Sequence, residues 1–363
     1  MKIATTTAAA LALAAALAAC SNEPRRFPLA DPLWVERDRN HVPQTPEEYY
    51  SGMLADVPDK TLFRPASQLF RFPLPGEAKN VNALDEVPNS SWFQNRIGMH
   101  PMTPEEVKRG NCSGPRLSGS EGPWLVSGAK PDGANPGFFI KAPSGTYLLK
   151  FDGPVQPQRA TAADVIGSKI YHAAGYHAPC NQVVHFRRSI IKIAPGAKVK
   201  NKYGETYPVT DKDVDKVLAM AYRLKDGTLR ASASAFLPGK PLGPWKYNDT
   251  RDDDPNDVVP HEDRRELRGA RLLAAWLNHF DAREQNTMTM WVGEDGHQHV
   301  GHYYIDFGDC LGSRWEQDGL SRRFGYSHYL HVGHVLADLL TLGAIARPWH
   351  QVSESKIAPA MGY

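Results

Sequence analysis

His279-Phe280-Asp281-Ala282-Arg283-Glu284-Gln285-Asn286 closes an apolar helical run that extends from Glu262 to Leu277, and Asp306-Phe307-Gly308 follows further along the chain. Between the two, Thr287 to Val292 and His299 to Ile305 flank the turn-forming Gly293-Glu294-Asp295-Gly296, which predicts a β-hairpin. The order is therefore helix, polar loop, hairpin, Asp-Phe-Gly. Working upstream, Gly137-Phe138-Phe139-Ile140-Lys141 and Thr146-Tyr147-Leu148-Leu149-Lys150-Phe151 are strand patterns joined by Pro143-Ser144-Gly145, a second hairpin. A helix follows, with Thr161 and Asp164 placed as a capping box and Gly175 at its close. Val183 to Ile193 and Leu229 to Phe236 read as further strands, with an inserted helix over Thr210 to Leu224. A sheet with one main helix precedes a mostly helical part that holds one hairpin, so the fold class is α+β.

The loop and the Asp-Phe-Gly turn together resemble the protein-kinase catalytic machinery: His-x-Asp with Asn five residues beyond the Asp, then a hairpin, then Asp-Phe-Gly. Lys150 at a strand end and Asp164 in the next helix stand where that superfamily keeps its phosphate-binding lysine and the lysine's acidic partner. The likeness spans roughly residues 137 to 310 and extends to the atypical members, the HipA-type, spore-coat CotH-type and secretory-pathway kinases, in which the glycine-rich loop is often rewritten. It implies a kinase-like two-lobed fold, with a small antiparallel-sheet N-lobe over 88–237 and a compact, mostly helical C-lobe over 238–363.

The implied chemistry is Mg²⁺-dependent phosphoryl transfer from ATP to an acceptor that the sequence does not name. Such transfer needs positioning and charge neutralisation more than covalent participation. Lys150 would hold the α- and β-phosphates, with Asp164 as its partner. Asp306 and Asn286 are hard oxygen donors suited to Mg²⁺, which keeps several waters and asks for few protein ligands. Asp281 would orient or deprotonate the acceptor, and Arg283 would touch the transferred phosphoryl. Phe307 and His279 would be structural supports. Asp164 has a second reading as the N3 residue of its capping box, and a lone Asp-Phe-Gly occurs in many turns. Two departures from the superfamily pattern stand out. No G-x-G-x-x-G precedes Lys150, where the stretch from Gly128 to Gly137 is a loose substitute, and no Ala-Pro-Glu follows Asp306.

The first twenty residues, MKIATTTAAALALAAALAAC, carry one positive charge, an apolar Ala/Leu/Thr run and a Leu-Ala-Ala-Cys exit. This is the layout of a secretory signal ending in a bacterial lipobox, so residues 1–19 are expected to be removed and Cys20 to carry the lipid that anchors the chain to a membrane. Ser21 and Asn22 after Cys20 lean towards the outer membrane. Residues 20–87, rich in Pro, Arg and Asp, read as a lipidated tether leading into a strap over the domain. A cell-envelope lipoprotein meets little free ATP. A second class is therefore kept beside the enzyme, a catalytically inactive pseudokinase-type binding or scaffold lipoprotein. Nucleotidyl transfer with the nucleotide reversed is a weaker third.

With 42 Lys+Arg against 40 Asp+Glu the chain is nearly neutral, which excludes free nucleic acid as its main partner. Beyond Cys20 the cysteines are Cys112, Cys180 and Cys310, which permit one disulfide of unspecified pairing. His261-Glu262-Asp263-Arg264-Arg265 lacks the second His of a zincin, and Ser118-Gly119-Ser120-Glu121-Gly122 lacks the first Gly of a nucleophile elbow. His297, His299 and His302 read as a surface strand, and Asp252, Asp253, Asp254 and Asp257 as a solvated loop.

Overall fold

The computed structural model describes residues 36–49, 76–129, 137–152, 157–200, 206–219, 221–279, 281–311 and 332–345, with a few isolated positions between 58 and 66. The signal segment, Cys20 and the loop 130–136 lie outside the described residues. The chain is a mixed α+β structure. The short helix α1 (Pro104–Arg109) opens on Thr103, whose hydroxyl receives Glu106 N while the Glu106 carboxylate receives Thr103 N, with Pro at N1. Strands β1 (Trp124–Ala129), β2 (Gly137–Ala142) and β3 (Gly145–Lys150) then form a meander. Helix α2 (Arg159–Ala174) leads to β4 (Asn181–Phe186), β5 (Ile191–Ile193), the small pair β6 (Lys198–Lys200) and β7 (Thr206–Pro208), helix α3 (Asp211–Ala219) and β8 (Leu229–Ala235). The main sheet runs β4-β8-β3-β2-β1-β5, antiparallel throughout except for β1 beside β5.

The later part holds β9 (Lys240–Gly243), helix α4 (Arg265–Trp276) and the hairpin β10 (Thr287–Val292) and β11 (His299–Tyr304), with β10 central in the three-stranded sheet β11-β10-β9. Helix α5 (Val332–Leu340) is the last element among the described residues. Among the described residues no helix is long and apolar enough to cross a membrane.

Two apolar clusters organise these elements. One lies under the main sheet, with Trp124, Phe138, Ile140, Leu149, Phe151 and Phe186. The other joins Trp92, Tyr171, Tyr176, Trp245, Tyr304 and Phe307. Helix α2 contributes Ala163 and Tyr171 to the second cluster while lying against β4 and β8. It is thus an element through which the sheet and the later part meet. Gly167 makes that approach possible, because a Cβ there would sit 2.8 Å from both Phe307 Cβ and Cys310 Sγ. Cys112 and Cys180 form a disulfide that ties the segment after α1 to the start of β4, and Cys310 is free and buried.

Several local expectations need correction. The long strand over Val183 to Ile193 is divided by a 3-10 turn at Arg188–Ile190. The inserted helix ends at Ala219, before Gly227 turns the chain into β8. The helix expected from Glu262 begins at Arg265, behind a 3-10 turn at His261–Asp263. Thr161 opens no capping box. Helix α2 starts at Arg159, and Thr161 gives its N–H and hydroxyl to the Asp152 carboxylate at 2.8 and 2.6 Å, a cap supplied from beyond the end of β3.

The histidine and aspartate clusters also differ from expectation. His302 is buried, stacked on Trp92 at 3.4 Å between ring centroids and 3.1 Å from Ser91 Oγ. The aspartate loop is only partly solvated: Asp254 and Asp257 are buried, and Asp257 meets His261 Nε2 at 2.7 Å. The reason is residues 36–49, which lie across this loop and the second sheet. Glu36 pairs with the fully buried Arg264 at 3.0 Å, Asp38 accepts from Ser91 N and Oγ, and the backbones of Val42 and Tyr49 donate to Gln298 and Leu242.

Asp254 carries a testable consequence. Burial pushes its carboxyl from 3.8 up to about 6, with the charges of Asp257 and Asp38 adding to the rise. The folded state therefore holds this proton more tightly than the unfolded chain, so the group's contribution to stability grows as pH falls from about 6 and is absent above it. Asp254→Asn keeps an acceptor for Asn256 N, 3.0 Å away, without the charge. The variant should exceed the parent in stability by up to about 3 kcal/mol at neutral pH. Urea unfolding across the acid range should show the gap closing towards pH 4; a gap independent of pH would refute the assignment.

Candidate functional site

The site forms where the ends of three elements converge: the last residue of β3, the first turns of α2 and the two ends of the β10–β11 hairpin. Register explains the convergence. Thr287 pairs with Tyr304, so Asn286 lies opposite Ile305, and Ile305 N donates to Asn286 O at 2.9 Å. The hairpin thereby folds the loop 281–286 back beside Asp306, across the twenty-residue separation in sequence.

Lys150 is the centre. It is 4% exposed, fixed on β3 by its pairing with Gly137 and Ser232, and its Nζ lies 2.9 Å from Asp164 Oδ1 and 2.9 Å from Asp306 Oδ1. Burial works against the ammonium, and the carboxylates of Asp164 and then Asp306 overcome it, so its pKa stands above the ordinary lysine value. Asp164 is 1% exposed and uses the same Oδ1 to accept Phe307 N at 3.0 Å. Between its two readings, the structure places Asp164 with Lys150 and the Asp-Phe-Gly backbone; Thr161 is held by Asp152 instead. Asp306 has φ 57°, left-handed backbone that a non-glycine residue rarely adopts without surrounding constraint.

Asp281 lies on the other side of the cluster. Asn286 Nδ2 donates to its backbone oxygen at 2.7 Å and to Oδ2 at 2.9 Å, and Arg283 Nε sits 2.7 Å from Oδ1. Burial raises the Asp281 carboxyl, Arg283 and Asn286 act to lower it, and Asp306 raises it again. His279 is buried beneath the loop, with Nδ1 2.9 Å from Tyr171 OH, and Phe307 is fully buried against Tyr171 and His279. Both side chains support the loop from within the second cluster. The structure therefore brings Lys150, Asp164, Asp281, Asn286 and Asp306 together, and directs Arg283 onto Asp281.

Comparison with known proteins adds nothing to this geometry. No family model, curated protein or solved structure matches the chain.

Three participants were not foreseen. Asp309 feels the charges of Asp281 and Asp306, which together with burial push its carboxyl up to about 7. Arg159, in the first turn of α2, donates from Nη2 to Gly308 O at 2.7 Å and lies 3.6 Å from Asp309. Asp152 fixes the start of that helix. The adjacency of Asp309 to Asp-Phe-Gly was a readable signal; nothing in sequence spacing links Arg159 to Gly308.

Among the described residues no group of three or more His, Cys, Asp or Glu side chains is arranged to hold a metal ion by itself. A cation bound by few protein ligands is a different case. Asp306 and Asn286 present oxygen donors at adjacent ends of the hairpin, and the Asn286 amide is oriented with its NH₂ on Asp281, which leaves its oxygen as the remaining donor. Burial and the charge of Asp306 raise the proton affinity of Asp281, and burial with Asp281 and Asp306 raises that of Asp309, a gathering of negative charge that a dication would relieve. The donor set fits Mg²⁺ completed by water and phosphate oxygens.

Proposed function

We propose that the chain is a kinase-like phosphotransferase of two lobes, the main sheet with α2 forming the nucleotide-phosphate side and the later part carrying the acceptor side. The observation that carries this reading is Lys150 bridging Asp164 and Asp306, 2.9 Å from each, beside a loop that presents Asp281 and Asn286. On this reading Lys150 Nζ turns from Asp306 towards the nucleotide's α/β-phosphate oxygens while Asp164 keeps it charged and aimed. Asp306 and Asn286 would hold Mg²⁺, which supplies neutralisation of the phosphate charge. Asp281 would accept the proton of the acceptor hydroxyl, held at the correct angle by Asn286 and Arg283. The sequence supports lipid anchorage at Cys20 in a bacterial envelope, which makes the nucleotide source the least usual part of the proposal.

One observation favours a second reading. Each charged group in the site already has a protein partner, Lys150 on both acids and Arg283 on Asp281, so the arrangement would also suit a pseudokinase-type binding lipoprotein whose pairs never exchange for phosphate. A thermal-shift titration of residues 21–363 with ATP, GTP and ADP, each with and without Mg²⁺, separates the two. A working site should give a Mg²⁺-dependent rise in midpoint, since binding at a hundredfold excess over Kd adds roughly 2.7 kcal/mol of stability. A cooperative unfolding transition that no nucleotide moves would leave the non-catalytic reading.

A further inference from the structure

We propose that Arg159 is a positioning residue for Asp306, gripping the turn after it from the first turn of α2; the inference rests on the kinase-like reading of the site. Asp306 sits in left-handed backbone at φ 57°, a conformation that persists in a non-glycine residue only when its surroundings over-determine it. The determinants can be named. The peptide leading into Phe307 is held through its N–H by Asp164, the Phe307 ring is fully buried, and the carbonyl of Gly308 is held by Arg159 Nη2 at 2.7 Å. Two of the three come from one helix, five residues apart. α2 therefore clasps the Asp-Phe-Gly turn on both sides of the phenylalanine.

The residue type is informative. Arg159 is only 5% exposed, and burying a guanidinium is costly unless its partners compensate. Its partners include the Gly308 carbonyl and the Asp309 carboxylate, at 2.7 and 3.6 Å. An apolar side chain would satisfy the packing of a helix start; a planar guanidinium, with its fixed fork of donors, can hold a carbonyl and a carboxylate at once. The contacts of Arg159 to Gly308 and Asp309 fall beyond the donors assigned to Mg²⁺, so its effect is exerted through the turn. Groups that orient a metal's ligands typically change metal affinity 10- to 100-fold when removed.

The test is a Mg²⁺ titration at fixed, saturating ATP, followed by thermal shift, on the parent, Arg159→Leu, Arg159→Lys and Thr161→Val. The last loses the hydroxyl contact to Asp152 on the same helix and never touches the turn, so it reports what helix destabilisation alone does. Arg159→Leu should raise the half-saturating Mg²⁺ concentration about tenfold or more. Arg159→Lys, which can still donate to Gly308 O, should recover part of the loss and serves as the readable variant if the leucine form does not fold. Thr161→Val should unfold earlier but keep the parental Mg²⁺ dependence. The inference is overturned if the Arg159 variants move the half-saturation point no further than Thr161→Val does. If the parent itself shows no Mg²⁺-dependent nucleotide binding, the kinase-like reading falls and takes this one with it, an outcome distinct from parental binding that Arg159 does not affect.

Discussion

Replacing Lys150 with Met will lower the stability of the folded chain by about 3–5 kcal/mol, because it strips the ammonium from an almost completely buried ion pair. Asp164 is 1% exposed, and its Oδ2 already lacks a hydrogen-bond partner among the described residues, so without Lys150 a buried carboxylate would be left with little beyond the Phe307 N–H. The origin of the loss can be checked with a second substitution. Lys150→Met combined with Asp164→Leu removes both charges and should regain a large part of the stability, since apolar replacement of a buried pair is often close to neutral. Neither variant should show a nucleotide-dependent shift in midpoint. Full stability in Lys150→Met, measured by denaturant unfolding, would mean that the pair contributes nothing and that the centre of the site has been misread.

The second large effect divides the two carboxylates by role. Asp306→Ala should abolish Mg²⁺-dependent nucleotide binding, whereas Asp281→Ala should leave that binding near the parental value and lower phosphoryl transfer by about 10²–10⁴-fold, the usual contribution of a positioned acid or base. The structure gives the physical ground for the split. Asp306 is paired with Lys150, and Asp281 is held instead by Arg283 and Asn286. Binding can be measured by thermal shift before any acceptor is known, and ATP hydrolysis to water serves as the default transfer assay. Equal loss of binding in both variants would point to collapse of the shared cluster, and an Asp281→Ala enzyme with parental turnover would remove Asp281 from the chemistry.

Much of the site was readable in order and not in geometry. The loop from His279 to Asn286, the hairpin and Asp-Phe-Gly were recognisable because turn residues and alternation mark a hairpin whatever packs around it. Lys150 and Asp164 were placed by their positions at a strand end and in the following helix. What Asp164 does was open, because a capping residue and an ion-pair partner have the same local sequence signature. The answer lay with Asp152, which takes over Thr161 and belongs to the residues after the preceding strand. Arg159 was invisible for a similar reason: its partner, Gly308, is a backbone carbonyl 149 residues away.

By itself the sequence determined the α+β class, the hairpins and the chain positions of Lys150, Asp164, Asp281, Asn286 and Asp306, all of which follow from short-range periodicity, turn composition and side-chain type. Only the tertiary structure decided that Cys112 pairs with Cys180 and leaves Cys310 buried, because spacing carries no information about which thiols meet. It also decided that Asp254, Asp257 and His302 are interior groups, since the chain that covers them, residues 36–49, comes from a segment whose composition resembles a tether. Long-range burial depends on what a segment packs against. That is set by hydrogen bonds and ion pairs such as Glu36 to Arg264, which no local pattern announces.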